Sequence, residues 1–479
     1  MQYDNFMLLF SSRCPNDMNM FSTIYYFVSF PHSFTYLTFY KSKKSEKVKL
    51  YLAFRSLNRT FALMKPSFMI AAPTSGAGKT TIARGLMALF SSKGMKVQPF
   101  KCGPDYIDTK FHELVCGRPS INLDTFMASP EHVRELFAHY GSQADVCVVE
   151  GMMGLFDGYD RDLGSSSEIA RTLALPVVLV VDAKRSAYSL AALLSGFAHF
   201  RKDVHICGVI FNRVGSKRHE EMLRQVCGDI EIGFYGVLPN HPGLEQGSRY
   251  LGLDFSDMPE SQILTNLLEE NVDWRRLLTF GAEKAFQTTS ECVPKNSGRL
   301  VVARNQESFS FVYQETLDAF REVVTFDPET EVPCLEEDDL LYLPGGYPEK
   351  HLEVLSKNIA ARKTIRQFAE CGGHVVAECG GMMYLCKSIV SDEGEYPMCG
   401  VLPYTITARK QDRKLSLGYR HFILDGKEYR GHEFHYTQFG GEIPQSITQV
   451  FNAKGEPVST PVMRYKNVLA SYTHLYHIL

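Results

Sequence analysis

The chain has 479 residues, 22% of them charged and 44% hydrophobic, with a formal net charge of −3. That length holds two to three domains with cores of their own, and the near-neutral balance excludes a protein built to coat nucleic acid. Its 12 Cys include no C-x-x-C pair, which excludes zinc-ribbon and thioredoxin-type sites; without a secretory signal they read as reduced thiols of a cytoplasmic protein.

Residues 1–63 stand apart. They hold 15 aromatic residues and no Gly, and eight Lys/Arg against three Asp/Glu. The uncharged stretch from Met20 to Tyr40 is broken by Pro31-His32-Ser33, so it forms no clean apolar run long enough to span a membrane. We read this segment as an extension outside the native protein, with translation beginning at Met64.

The first domain is expected over 64–278. Phe68 to Ala72 reads as a strand and Thr81 to Phe90 as a helix, joined by Pro73-Thr74-Ser75-Gly76-Ala77-Gly78-Lys79-Thr80. Strand, glycine loop and helix are the setting of a P-loop, in which backbone N–H groups and a helix N-terminus converge on phosphate. Gly76 and Gly78 permit the loop, Lys79 neutralises the β/γ-phosphates of ATP, and the Thr80 hydroxyl ligates Mg²⁺. Pro73 replaces the first glycine of the usual motif. Further strands are expected at 96–100, 146–149, 176–182 and 206–212, and their alternation with helices implies a parallel sheet. Glu150 ends a central strand, where it can ligate Mg²⁺ or orient its water. Asn212 ends another, either reading the nucleotide base or serving as a turn residue.

Residues 279–298 read as a polar linker, and 299–479 as a second α/β domain. Strands are expected at 300–303, 340–343 and 374–377, with a helix from Phe311 to Phe320. Cys379, in Glu378-Cys379-Gly380-Gly381, stands where a strand turns into a helix. Such an elbow exposes a nucleophile over a helix N-terminus, which lowers a thiol pKa. The N–H of Gly380 and those around Gly345 and Gly346 can form an oxyanion hole. His474 is the candidate base, with His477 either an alternative or a solvent-facing residue. His432 and His435 lack the spacing of a zinc helix.

From Met64 to Leu479 the chain resembles the cobyrinic acid a,c-diamide synthases. The resemblance rests on Pro73–Thr80, Lys101–Asp108, Glu150–Gly158, Leu343–Glu349, Ala377–Gly381, Leu417–Arg420, Arg430–Tyr436 and Ser471–His474 in that order. It implies a dethiobiotin-synthetase-like ATPase domain followed by a class I glutamine amidotransferase domain. It also implies ATP- and glutamine-dependent amidation of the a and c acetates of cobyrinic or hydrogenobyrinic acid. Asp105, Tyr106 and Asp157 then match positions near the reacting carboxylate, and Lys79, Thr80 and Glu150 the ATP–Mg²⁺ site. The family works with a Cys–His pair; Tyr476 stands where class I amidotransferases usually carry Glu. Relatives with neighbouring chemistry are cobyric acid synthase and nickel-sirohydrochlorin a,c-diamide synthase. A partition-type ATPase is disfavoured because it carries a second lysine at the position of Thr74 and no Cys elbow. Neither a nucleic acid nor a membrane is expected as a partner, and a homodimer stays open.

Overall fold

A computed structural model describes residues 22–30, 33–41, 65–241, 244, 258–281 and 296–478. Met1–Leu63 and Met64–Leu479 are separate compact units. In the first, β1 (Ser22–Phe30) and β2 (Ser33–Lys41) pair antiparallel; the remainder of that segment lies outside the described residues. Among the described residues no helix is long and apolar enough to cross a membrane.

The second unit begins with a seven-stranded sheet. Its strands are β3 (Ser67–Ala71), β4 (Val97–Cys102), β5 (Ile121–Leu123), β6 (Val146–Glu150), β7 (Val177–Asp182), β8 (Ile206–Val214) and β9 (Gly233–Pro239). They lie in the order β5-β4-β6-β3-β7-β8-β9, and every pairing is parallel. Every residue of β3, β4 and β6 is buried, as expected where helices cover both faces of a parallel sheet. Helix α1 (Lys79–Ser92) extends two residues beyond the predicted span at each end, and it buries Ile82, Leu86, Leu89 and Phe90 on one stripe. Helix α2 (Ile107–Cys116) is opened by Asp105, whose carboxylate accepts from the Ile107 and Asp108 amides at 2.8 and 2.9 Å. β5 and β9 escape the sequence reading: one is only three residues long and the other is interrupted by glycines.

A second sheet follows, made of β10 (Asn296–Ala303), β11 (Phe320–Phe326), β12 (Leu340–Leu343), β13 (His374–Glu378), β22 (Val462–Tyr465) and β23 (Val468–Ser471). The order is β11-β10-β12-β13-β23-β22, parallel except at β22. The chain between β13 and β22, joined by β24 from beyond β23, forms two smaller sheets. One holds β14 (Ser388–Val390), β15 (Glu395–Pro397), β16 (Thr405–Thr407) and β19 (Gln438–Phe439). The other is antiparallel and holds β17 (Ser416–Leu424), β18 (Lys427–His435), β20 (Val450–Asn452), β21 (Pro457–Val458) and β24 (His474–Leu475). β17 and β18 are joined by Asp425-Gly426, both at positive φ (52° and 79°), the two-residue turn that suits the twist of a hairpin.

Two expectations change here. The helix predicted from Phe311 to Phe320 is confined to Gln314–Asp318. The Phe311 amide donates instead to the Gly345 carbonyl at 3.1 Å, and Phe320 opens β11; tertiary pairing overrides the helical pattern at both ends. The polar stretch predicted as a linker over 279–298 is drawn into structure at both ends. Ser67 N donates to the Phe280 carbonyl at 3.0 Å, and β10 begins at Asn296. Residues 282–295 lie outside the described residues.

The two sheets meet at a seam of Tyr106, Phe126, Met127, Phe311, Tyr313, Tyr419 and Tyr476, each less than 10% exposed. Polar bonds cross it too. The Tyr419 hydroxyl donates to Asp124 at 2.6 Å, Arg430 to the Phe126 carbonyl at 3.0 Å, and Lys110 to the Gln306 carbonyl at 3.1 Å.

Candidate active sites

The phosphate loop is shaped by its glycines. Gly76 and Gly78 sit at φ +78° and +98°. A Cβ on Gly78 would lie 2.1 Å from Asn212 Nδ2, so side chains other than hydrogen are excluded there. Asn212 uses its amide to donate to the Ala77 carbonyl at 3.0 Å, and its Oδ1 accepts from the Arg213 amide. It therefore holds the loop itself. Lys79 Nζ donates to the Met153 carbonyl at 2.5 Å. Burial pushes its ammonium pKa down, with Lys101 adding to the effect and Glu150, Asp108 and Asp157 opposing it. Asp157 accepts from the Gly154 amide at 3.0 Å, which places it on the loop after β6.

Behind the loop lies a buried charged cluster that the sequence reading resolved only in part. Thr80 Oγ1 donates to Glu150 at 2.5 Å and lies 3.3 Å from Asp108. Lys101, at the end of β4, reaches Asp108 at 2.6 Å, Glu150 at 2.9 Å and the Gly151 carbonyl at 3.3 Å. His112 Nε2 is 2.7 Å from the other Glu150 oxygen, and its Nδ1 is 3.0 Å from Ser120 Oγ. Burial raises the Asp108 carboxyl to about 6, with Asp105 and Glu150 adding to the rise. Glu150 is fully buried too, yet Lys101, His112 and Thr80 together hold it well below the usual carboxylate range. The Asp108 and Glu150 carboxylates already converge on a cation, the Lys101 ammonium, and the Thr80 hydroxyl lies against both of them. Such a hard, all-oxygen donor set is the kind that suits Mg²⁺. The sequence shows Lys101 and Asp108 at a strand end and on a helix; their convergence with His112 on Glu150 is decided by the fold.

The second site surrounds Cys379. It holds φ +45° and ψ −108° at the head of helix Gly380–Leu385, a backbone state that costs of order 1–3 kcal/mol for a side chain other than glycine. Two features allow it. The Cys379 amide donates to the Ser471 carbonyl at 2.8 Å, and the next two glycines pack where no Cβ fits: one on Gly381 would lie 1.9 Å from the Leu343 oxygen. A Cβ on Gly380 would lie 3.1 Å from both Gly346 N and O, and one on Gly345 would lie 2.1 Å from His474 Cε1. The three candidate oxyanion glycines and His474 are thus gathered at one place. The Gly345 carbonyl faces away, accepting from the Ser310 and Phe311 amides.

The expected low thiol pKa is not observed. Cys379 is 3% exposed. Burial, reinforced by the Glu349 carboxylate, pushes the thiol well above its ordinary value, outweighing the Gly380 N–H. His474 is 1% exposed; burial, with His432 and His435 beyond it, pushes its imidazole well below its usual range. Among the described residues neither ring nitrogen of His474 has a hydrogen-bond partner. The resting site therefore holds a protonated thiol and a neutral imidazole without an orienting acid. Tyr476, at the position where a carboxylate would stand, is buried in the seam.

Supporting residues came from farther along the chain. His432 pairs with His474 across β18 and β24, and their rings stack at 5.0 Å and 18°. Burial brings the His432 imidazole to about 3, and its Nδ1 lies 3.2 Å from the Tyr313 hydroxyl. Arg420 and His435 both bind Glu433, at 2.5 and 2.7 Å. His435 in turn stacks on Tyr472 at 3.7 Å.

Tyr106 connects the two sites. Its ring stacks on Phe311 at 5.0 Å and 5°, and lies 5.5 Å from the His474 ring. It stands one residue after Asp105 and two before Asp108, both beside Lys101. It also borders a cavity of about 250 Å³ that opens between the sheets, lined by Lys110, Asn122, Arg304, Asn305 and Gln306.

A phosphate loop over a buried carboxylate, and a strained cysteine elbow packed on glycines that a histidine also packs against, define a glutamine-dependent amide ligase built from a P-loop domain and an amidotransferase domain. Residues 68–251 match the family described as a CobQ/CobB/MinD/ParA nucleotide binding domain, and residues 301–478 the CobB/CobQ-like glutamine amidotransferase domain. The cobyrinate a,c-diamide synthase of Caldanaerobacter subterraneus subsp. tengcongensis is 37% identical over 428 residues, covering 85% of this chain and 94% of that protein. The hydrogenobyrinate a,c-diamide synthase of Brucella anthropi is 38% identical over 428 residues, covering 85% and 98%. The cobyrinate a,c-diamide synthase of Listeria monocytogenes serovar 1/2a is 37% identical over 437 residues, covering 85% and 95%. The chain belongs to the cobyrinate and hydrogenobyrinate a,c-diamide synthase family.

The raised thiol has a direct consequence. At pH 7.5, without ligands, iodoacetamide is expected to label Cys379 at least about tenfold more slowly than free cysteine, because only thiolate reacts. Peptide mass spectrometry across pH 7 to 9.5 should show a rate still climbing at the upper end. A plateau below pH 8 would contradict it.

Proposed function

We propose that this protein converts the a and c acetate carboxylates of cobyrinic or hydrogenobyrinic acid to amides, using ATP and glutamine in the cytoplasm. The observation that carries the reading is Tyr106. One residue of the phosphate-binding domain lies against the histidine of the glutaminase site, so ammonia release and carboxylate activation are built as neighbours.

A carboxylate is a poor electrophile, and phosphorylation supplies a leaving group. Lys79 and the loop amides hold the ATP phosphates while a substrate carboxylate oxygen attacks the γ-phosphorus, yielding an acyl phosphate and ADP. Asp105, Tyr106 and Asp157 border the ground where that carboxylate arrives. Thr80, Asp108 and Glu150 are the oxygen ligands that would hold Mg²⁺, which draws charge from the phosphates when it is bound with ATP. In the second domain Cys379 Sγ adds to the side-chain amide carbon of glutamine as its proton passes to His474. Gly380, Gly345 and Gly346 would receive the developing oxyanion through backbone N–H groups. His474 returns the proton to the departing ammonia, and water hydrolyses the thioester to glutamate. Ammonia then attacks the acyl phosphate carbon; phosphate leaves and the amide forms. Desolvation suits this scheme, since a neutral imidazole is the form that accepts a proton.

The direct test follows the corrinoid by mass spectrometry after incubation with cobyrinic acid, ATP, Mg²⁺ and glutamine. Two successive carboxyl-to-amide shifts and then a halt are expected, and Cys379→Ala should lose the glutamine reaction but keep it with ammonium. No shift would redirect the substrate to nickel-sirohydrochlorin, and four shifts to the cobyric acid reaction.

The cavity beside Tyr106 offers Lys110 and Arg304 to a carboxylate of the substrate. Burial, with Arg304 adding to it, lowers the Lys110 ammonium to about 8. Lys110 is therefore charged below that pH and loses its charge above it, so KM for the acid should rise as pH passes 8. Lys110→Arg should flatten the rise. An unchanged pH profile would remove Lys110 from binding.

Tyr106→Ala should lower the glutamine-dependent kcat about tenfold and ammonium-dependent amidation by clearly less, since only the first needs the contact with His474. Equal loss with both nitrogen sources would mean that the ring serves the carboxylate site alone.

A further inference from the structure

At the far end of the seam three potential metal ligands from separate segments come together. His132 lies in the first turn of helix Pro130–Gly141, in the phosphate-binding domain; Ser129 caps that helix by accepting from the His132 amide. Glu315 opens the short helix Gln314–Asp318 of the second domain, and His477 lies two residues past β24. His132 Nε2 is 2.5 Å from Glu315 Oε1, and the His132 and His477 rings lie 5.7 Å apart at 79°. One ligand atom from each residue lies within 4.8 Å of the other two.

We propose that His132, Glu315 and His477 bind a divalent transition-metal ion of the Zn²⁺, Ni²⁺ or Co²⁺ class, tying the C-terminal segment to the phosphate-binding domain. Two imidazoles and one carboxylate are a borderline donor set that selects such ions over Mg²⁺. Bonds of about 2.0–2.1 Å in a tetrahedral site put ligand atoms about 3.3 Å apart. From a spread within 4.8 Å the three atoms have little distance to close, with His132 and Glu315 parting from 2.5 Å to admit the ion.

The surroundings fit. Glu135 Oε2 stands 3.7 Å from His132 Nδ1, the outer carboxylate that commonly orients a ligating imidazole and leaves Nε2 for the metal. Tyr476 packs edge-on against the His132 ring at 6.3 Å and lies 4.7 Å from His477. His477 is exposed, which gives the ion an entry path and leaves its fourth position to water. The site is separate from the Thr80–Asp108–Glu150 oxygens, and the inference does not depend on the corrinoid substrate.

The test uses the full chain after dialysis against a chelator. Calorimetric titration with ZnCl₂ in excess MgCl₂ should show one site per chain. His132→Ala and His477→Ala should each weaken it at least tenfold, and Zn²⁺ should raise Tm in the parent protein but not in either variant. Co²⁺ in the same protein should give the visible absorption of a low-coordinate nitrogen–oxygen site, lost in both variants. His477 is exposed, so its variant keeps the fold even where the His132 variant does not, and circular dichroism checks both. Zinc affinity that is absent in the parent, or equal in the parent and a folded His477→Ala, overturns the proposal.

Discussion

The packing of Tyr106 against Phe311, Tyr313 and His474 is what makes two sheets into one enzyme. Each sheet has its own apolar layers, built from β3, β6 and β7 on one side and from β10, β12 and β13 on the other. The shared layer is aromatic, because flat rings bury large areas and still present a polar edge to the other domain. Tyr419 shows both uses, with its ring against Phe126 and its hydroxyl on Asp124. Residues that carry the glutaminase resemblance, Tyr419 and Arg430 among them, turn out to be spent on this junction.

Desolvation is the common electrostatic theme, and it acts with opposite results in the two halves. Beside the phosphate loop, Lys101 compensates two buried carboxylates, and Glu150 stays ionised at no exposure. Leaving such a carboxylate without its partner would cost several kcal/mol. Around Cys379 the Gly380 N–H and the Glu433 charge are outweighed by burial, so both thiol and imidazole rest in their neutral forms. The first site is charged and ready for a cation; the second holds its thiol and imidazole uncharged.

Backbone strain is placed with equal economy. Gly76 and Gly78 adopt left-handed angles around the phosphate loop, and Cys379 does so at the elbow. Around the elbow the packing leaves no room for a Cβ at Gly380, Gly381 or Gly345. The Cys379 sulfur and the neighbouring glycine amides are thereby held by covalent geometry and close contact.

Much of this was legible in the residues alone. The phosphate loop, the strand ending at Glu150 and the Glu378-Cys379-Gly380-Gly381 elbow are local patterns, in which each side chain's role follows from its immediate neighbours. What stayed hidden was set by distance along the chain. Lys101 and His112 meet Glu150 across 49 and 38 residues, and His432 meets His474 only through a β-bridge. Helix propensity from Phe311 to Phe320 lost to pairing with Gly345 and β10 at its two ends. The low thiol pKa expected from a helix N-terminus lost to burial, which no local pattern reports. Sequence determined which chemical groups the protein carries and on which turns. Tertiary structure alone decided which of them are desolvated, paired or left facing one another, because burial and charge coupling depend on neighbours that the chain brings in from far away.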